Sequence, residues 1–378
     1  MTFGRVLFCV TLALLMSNPL LAQTSNLKRD EAVILFPTLA WQESNSWHAE
    51  MHAWVFEPEK RALSLGAIRK VLGLVEEDTT PEEEAIFKER ALWFLVDNER
   101  TKRVVVRAAD KVYQLPPTEA NGHTWGATIL GGTDVLKWTA LAGANGGAVP
   151  LEVILPESDG RRVNGEIHVV EPAGLSVISD IDDTIKVSEV RDRKALLRNT
   201  FYRPFKAVDG MSAMYRRWAE TRQARFHYVS ASPWQLYPAL AEFRAAEGFP
   251  AGTFHLKDFR VKDRTALALF DSPVEYKLGV IEPLLQRFPE RRFVLVGDSG
   301  EKDPEVYGEI ARRHPQQVVV ILIRDVTGEG RDAQRYVDAF RSVAADRWRI
   351  FAEPREVLDA LEQRNLPDRG CPQPQRVD

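Results

Sequence analysis

The sequence is short of the features that mark several protein classes. Cysteine occurs only twice, at Cys9 and Cys371. Once a leader carrying Cys9 is removed, no intrachain disulfide can form, which excludes a disulfide-stapled fold. No long basic run is present, and 50 Lys and Arg against 54 Asp and Glu leave a formal charge of −4. That excludes a general nucleic-acid binder, whose affinity rests on phosphate-neutralising cations. Beyond the N-terminus no stretch approaches the roughly 18 consecutive apolar residues of a membrane span. What is there is globular: 44% hydrophobic and 28% charged over 378 residues, a length at which two domains are expected.

The N-terminus differs from the rest. Arg5 supplies a positive end, residues 6–16 an apolar core, and residues 17–22 a cleavage region ending in the small Ala22. This is the layout of a secretory signal, so an exported, periplasmic or secreted protein is expected. Removing Arg5 takes the formal charge from −4 to −5. Cys9 lies inside the apolar core, too early for a lipidation site. The Pro-rich residues 366–378, with Cys371, read as a flexible tail.

Residues 32–36, 51–56, 103–106 and 162–170 are short runs rich in β-branched and aromatic side chains, the signature of strands. Asn121-Gly122, Gly131-Gly132 and Asn145-Gly146-Gly147 separate them as turns. Thr80 as cap, Pro81 and the acidic Glu82, Glu83 and Glu84 mark one helix start. Residues 28–170 therefore read as a mainly β, sandwich-like domain with a helical insertion. His48 and His52 do not make a metal pair there, because i and i+4 in a strand lie roughly 13 Å apart. Gly143, Gly146 and Gly147 read as a hairpin or loop rather than a phosphate cradle.

From Pro172 short apolar strands alternate with helices. Strands are expected at 175–179, 225–229, 253–256, 292–296, 318–323 and 349–351. Helices are expected at 212–221, 236–247, 276–287 and 304–313, with a last one after 351. Residues 172–365 thus form an α/β domain, a parallel sheet covered on both faces. Such sheets bind ligands at the carboxyl ends of their strands.

The polar residues fall at those ends. Residues 175–179 run into Asp180 and Asp182, residues 225–229 into Ser230, and residues 292–296 into Asp298 and Asp303; Lys277 stands at a helix start. Two carboxylates two residues apart raise each other's pKa unless a cation compensates them. Asp and Thr also cap helices, which is the alternative reading of residues 180–184 taken alone. Taken together, the set fits hydrolysis of a phosphomonoester through an aspartyl-phosphate. Asp180 attacks phosphorus, and Asp182 protonates the leaving alkoxide and then deprotonates water. Ser230 and Lys277 donate to the phosphoryl oxygens. Asp180, Asp182, Asp298 and Asp303 supply the oxygen ligands that Mg²⁺ prefers, while Thr184 shapes the turn.

Asp180-Ile181-Asp182-Asp183-Thr184 also resembles the first motif of the haloacid-dehalogenase (HAD) phosphatases. Ser230, Lys277 and Gly297-Asp298…Asp303 are similar to the second, third and fourth. Longer strings resemble the catalytic domain of the actin-patch phosphatidate phosphatases, relatives of the lipins. They are residues 179–188, Asn199-Thr200-Phe201, residues 228–237 and residues 294–305. The resemblance covers about residues 172–355. It implies a HAD-like Rossmannoid fold and Mg²⁺-dependent conversion of phosphatidate to diacylglycerol and phosphate. The N-terminal half is similar to the region preceding that domain in bacterial members. The family's lipid activity belongs to cytosolic relatives, so a signal-bearing member leaves soluble phosphomonoesters open as substrates. A catalytically idle lipid-binding module is a third possibility, against which the intact acids argue. Neither 185–211 nor 231–276 holds a full cap domain, so little or no cap is expected. An open site admits a lipid headgroup, and the β domain over it would narrow it. Phe201, Tyr202, Phe205 and Trp234 are either core or a peripheral membrane contact.

Overall fold

The change of periodicity near Pro172 is a change of sheet. A computed structural model describes residues 24–58, 65–72, 74, 79–144, 146–258 and 274–361. The expected signal and tail lie outside these residues. The described chain divides into two units, residues 1–57 with 97–169, and residues 58–96 with 170–378.

The first unit carries β1 (Ala32–Phe36), β2 (Thr38–Glu43), β3 (Ser46–Glu57), β4 (Asp97–Asn98) and β5 (Val105–Ala108). β6 (Lys111–Gln114), β7 (His123–Leu130), β8 (Ala148–Val153) and β9 (Asn164–Val169) complete its sheet. The pairings are antiparallel except β2 with β9. Long β3 pairs β7 along one edge and shares its other edge between β2 and β1, so the sheet forks there. Met51, Ala53, Val55, Val106, Val149 and Ile167 fill the core between its faces, as alternating strands dictate. His52 Nε2 meets His123 Nδ1 at 2.8 Å and stacks on Trp125, a packing role.

Two helices in this half escaped the sequence reading. α1 (Leu65–Leu72) and α2 (Pro81–Leu92) form the insertion, of which only the start of α2 was legible; a further helix spans Gly132–Ala144 (α3), where turns were expected. α2 begins as predicted, with a capping box between Thr80 and Glu83 and Pro81 in the first turn. The insertion belongs to the second unit, not to the β domain that its place in the chain suggested. The reason is polar: Arg90 of α2 donates to Thr200 O (2.6 Å) and Arg203 O (2.9 Å).

The second unit is an α/β layer structure. Its strands are β10 (Gly174–Ser179), β11 (Arg225–Pro233), β12 (Gly252–Lys257), β13 (Arg291–Asp298), β14 (Val318–Arg324) and β15 (Trp348–Phe351). They pair in the order β12-β11-β10-β13-β14-β15, all parallel. α4 (Arg193–Phe201), α5 (Met211–Arg222), α6 (Tyr237–Ala246), α7 (Val274–Arg287), α8 (Asp303–Arg313) and α9 (Gln334–Ala339) make the connections. α4, capped by Asp192 on Lys194 N and Ala195 N, was not anticipated. After β15 the described chain holds a short 3₁₀ turn, Pro354–Val357, in place of the expected helix.

This topology positions the site. From β10 the chain first builds outward through β11 and β12, then returns to β13 on the other side. The crevice where strand order reverses, at the carboxyl ends of β10 and β13, is where such sheets bind ligands. The opposite end of β10 is closed by buried Arg291, which donates to Glu171 O, Ala173 O (2.6 Å) and Leu175 O (2.6 Å). Gly174 (φ +112°) leaves room for that guanidinium, 3.4 Å from where a Cβ would stand. Phe201, Tyr202 and Trp234 are buried, so they are core and not a membrane contact.

Candidate active site

Asp180 is still inside the sheet ladder, its N donating to Val296 O at 2.9 Å. The chain then turns sharply at Asp183, whose φ of 53° is left-handed, a conformation that strains a residue with a Cβ. The Asp183 carboxylate offsets that strain by accepting from the backbone N–H of Ser188 (2.8 Å), Glu189 (2.9 Å) and Val190 (2.7 Å). Asp183 therefore organises the loop, and its two neighbouring acids are free for chemistry.

Those two acids face different surroundings. Asp180 Oδ1 accepts from Lys277 Nζ at 2.9 Å and Oδ2 from Thr184 Oγ1 at 3.1 Å. The same ammonium reaches Asp303 Oδ1 at 2.5 Å and Glu301 Oε2 at 3.0 Å. Asp303 Oδ2 in turn accepts from Asp298 N, and Asp298 Oδ1 accepts from Gly300 N and Glu301 N. Asp298 Oδ2 is buried with no hydrogen-bond partner. Asp180, Asp298 and Asp303 offer oxygens that all lie within 4.8 Å of one another. Gly297 is required here, since a Cβ would stand 2.2 Å from Asp303 Oδ2.

Burial pushes Asp180 and Asp298 well above the ordinary carboxylate range. For Asp180 Lys277 pulls the other way, while Asp303 and Glu301 reinforce the rise; for Asp298 Asp303 and Asp180 reinforce it. Burial also raises Glu301. One ammonium does not compensate this many acids. The bare oxygen of Asp298 and an all-oxygen donor set fit a hard divalent cation.

Asp182 sits in the reverse situation. Its Oδ1 takes Lys186 Nζ (2.7 Å) and Ser188 Oγ (2.7 Å), and its Oδ2 takes Ser230 Oγ (3.1 Å) and Ser232 Oγ (3.0 Å). Burial favours its neutral form, but Lys186 and the hydroxyl donors outweigh it and hold the pKa down to about 2. The expectation that the Asp182 carboxylate joins the metal ligands is not met by this geometry: it turns to a lysine and three hydroxyls instead. Asp180, Lys277, Asp298 and Asp303 come together, and Ser230 stands with Asp182. Sequence reasoning missed Glu301, Lys186, Ser188 and Ser232. A signal existed for two of them: Lys186 lies four residues after a buried acid, and Ser232 lies two after Ser230 on the same strand face.

Residues 175–325 match the family described as "Phosphatidate phosphatase APP1, catalytic domain". Within the curated proteins, this chain is similar to Phosphatidate phosphatase APP1 of Saccharomyces cerevisiae, 36% identical over 160 residues. It is also similar to an uncharacterized protein of Schizosaccharomyces pombe, 30% identical over 168 residues. Those alignments cover 42% and 43% of this chain but only 27% of each relative. The chain thus spans about a quarter of the length of the curated relatives it matches. Both acids of the first motif, Ser230, Lys277, Asp298 and Asp303 lie inside the matched domain.

Proposed function

We propose that the protein is a Mg²⁺-dependent phosphatidate phosphatase, which removes the phosphate monoester and leaves diacylglycerol. The observation that carries this reading is the pair Asp180 and Asp182, two residues apart in opposite environments. One is pressed against a lysine and a cation-ready acidic group; the other is held by hydroxyls. An idle binding module has no reason to keep so many buried acids around one lysine.

In this reading Asp180, Asp298 and Asp303 would hold Mg²⁺, whose charge would offset that of the acids and of the phosphate oxygens. Asp180 attacks phosphorus, forming the aspartyl-phosphate as the bond to the glycerol oxygen breaks. Lys277 and Ser230 donate to the phosphoryl oxygens as charge develops there. Asp182 gives the departing alkoxide its proton, then takes one from the water that hydrolyses the intermediate. Its low pKa keeps the resting carboxylate ionised. Both tasks are served when Ser230 turns to the phosphate, because a lost donor and a new neighbouring anion both raise a carboxylate's pKa toward the working pH. The layout of residues 1–22 supports export, and peripheral contact with a bilayer follows from a lipid substrate.

The test is turnover of phosphatidate micelles and of a panel of soluble phosphomonoesters, each with and without EDTA. The expected result is metal-dependent phosphate release that is fastest from phosphatidate. Soluble esters turned over orders of magnitude faster would sink the lipid reading and favour an exported phosphatase for soluble substrates.

A further inference from the structure

Resting on the reading of Asp182 as the proton carrier, we infer that Lys186 is a positioning residue that selects which Asp182 oxygen handles the proton. Lys186 and Ser188 both engage Oδ1, at 2.7 Å each, and Lys186 Nζ also donates to Ser188 Oγ at 2.5 Å. Oδ1 is thereby anchored by a closed triangle. Among the described residues Oδ2 meets only Ser230 and Ser232, hydroxyls toward the carboxyl end of β11, where the proposed reaction receives the phosphoryl group. Oδ2 is therefore the oxygen that gives and takes the proton, and Lys186 keeps the carboxylate from rotating.

Lys186 is itself built in. It is buried, and its flanking backbone is paired strand-fashion: Val187 N donates to Lys206 O at 2.8 Å and Val208 N to Ile185 O at 2.9 Å. Its ammonium lies 4.7 Å from the centroid of the Phe205 ring, and the Arg90 guanidinium lies over the same ring at 3.7 Å. Two cations on one aromatic ring draw on the attraction of its π face. Arg90 is fixed by the carbonyls of Thr200 and Arg203. The chain of support thus runs from α2, more than ninety residues earlier in sequence, through Phe205 to Asp182. It gives the helical insertion a task, with Phe205 bridging Arg90 and Lys186.

A leaving-group comparison tests this. A carboxylate that protonates the leaving group matters for an alkyl phosphate, whose alkoxide is a poor leaving group, and little for p-nitrophenyl phosphate. For Lys186→Met, kcat/KM on short-chain phosphatidate should fall about 100-fold, and on p-nitrophenyl phosphate less than about 10-fold. Lys186→Arg should restore most of the loss, and Ser188→Ala should show the same selectivity at a smaller size, which covers failure of Lys186→Met to fold. Equal losses on both substrates, or no loss, would overturn the positioning role. Asp182→Asn is the control: if it shows no leaving-group selectivity, the proton-carrier reading itself fails. Turnover of neither substrate by the unaltered protein sinks both.

Discussion

Asp180 and Asp182 leave the same strand end, two residues apart and both buried, yet their surroundings drive them in opposite directions. Around Asp180 one ammonium serves Asp180, Asp303 and Glu301, with Asp298 close by. Around Asp182 one ammonium and three hydroxyls serve a single carboxylate. Burial is common to both, so it cannot explain the difference; the ratio of donors to acids does. A group with surplus acid charge is tolerable only beside a cation or a proton, which suits the Asp180 side to the proposed metal site and nucleophile. A group with surplus donors needs neither, which suits the Asp182 side to the proposed proton carrier.

The largest expected effect comes from breaking the acid-rich side at its nucleophile. Asp180→Asn should lower turnover at least about 10⁴-fold, the scale of loss when an attacking group is removed. It should also raise the melting temperature of the EDTA-treated protein, because it takes one carboxylate out of an overcharged group. Residual activity above a tenth would dismiss Asp180 as the nucleophile. An unchanged or lower melting temperature would say that the acids around Lys277 are already compensated.

Lys277→Met asks the complementary question. Without its ammonium, the three carboxylates it touches lose their only cationic partner among the described residues. Breaking a buried pair of this kind costs about 3–5 kcal/mol, so the EDTA-treated variant should melt well below the parent. Added Mg²⁺ should recover more stability in the variant than in the parent, and turnover should stay about 100-fold down or more, the cost of one lost transition-state donor. An equal gain from Mg²⁺ in both proteins, read by thermal melts, would separate the lysine from the cation site.

Much of this was legible in the sequence because it is written in strand ends. Each β-strand of the second unit that ends in a polar residue delivers it to one edge, so Asp180, Ser230 and Asp298 could be grouped without coordinates. Lys277 was legible as a helix-start cation. What was not legible depends on side-chain direction. Nothing in the spacing of Asp180 and Asp182 says that one faces Lys277 and the other Lys186. That split arises from the turn at Asp183, whose left-handed backbone is held by three backbone N–H groups further along the loop. The helical insertion was misplaced for a similar reason. Its position in the chain says β domain, while Arg90 seeking the open carbonyls at the end of α4 ties it to the second unit. α4 itself is short and opens with Arg193 and Lys194, charges that disfavour a helix start, so its pattern was weak.

The smallest effect is the sharpest test of the comparison, because it predicts opposite signs. Asp180 and Asp298 have folded pKa values raised above the unfolded 3.8. Above pH 3.8 the folded protein holds protons that the unfolded chain has lost, so the EDTA-treated protein should lose stability as pH rises from 3.8 towards the raised folded values. Asp182 has a folded pKa of about 2, below its unfolded 3.8. Its contribution is fully present above pH 3.8 and is lost as pH falls through about 2; a shift of that size corresponds to about 2 kcal/mol. Melting temperature against pH should therefore bend down on both sides. Mg²⁺ should lift only the neutral side, since the cation replaces the protons on Asp180 and Asp298. Asp298→Asn should flatten the neutral side and leave the acid side alone. Asp182→Asn should flatten the acid side, read as slope and not as level, because it also leaves Lys186 buried without its carboxylate. If Asp182→Asn instead changes the Mg²⁺-sensitive side, the two acids share one charge network and the division between nucleophile and proton carrier falls with it.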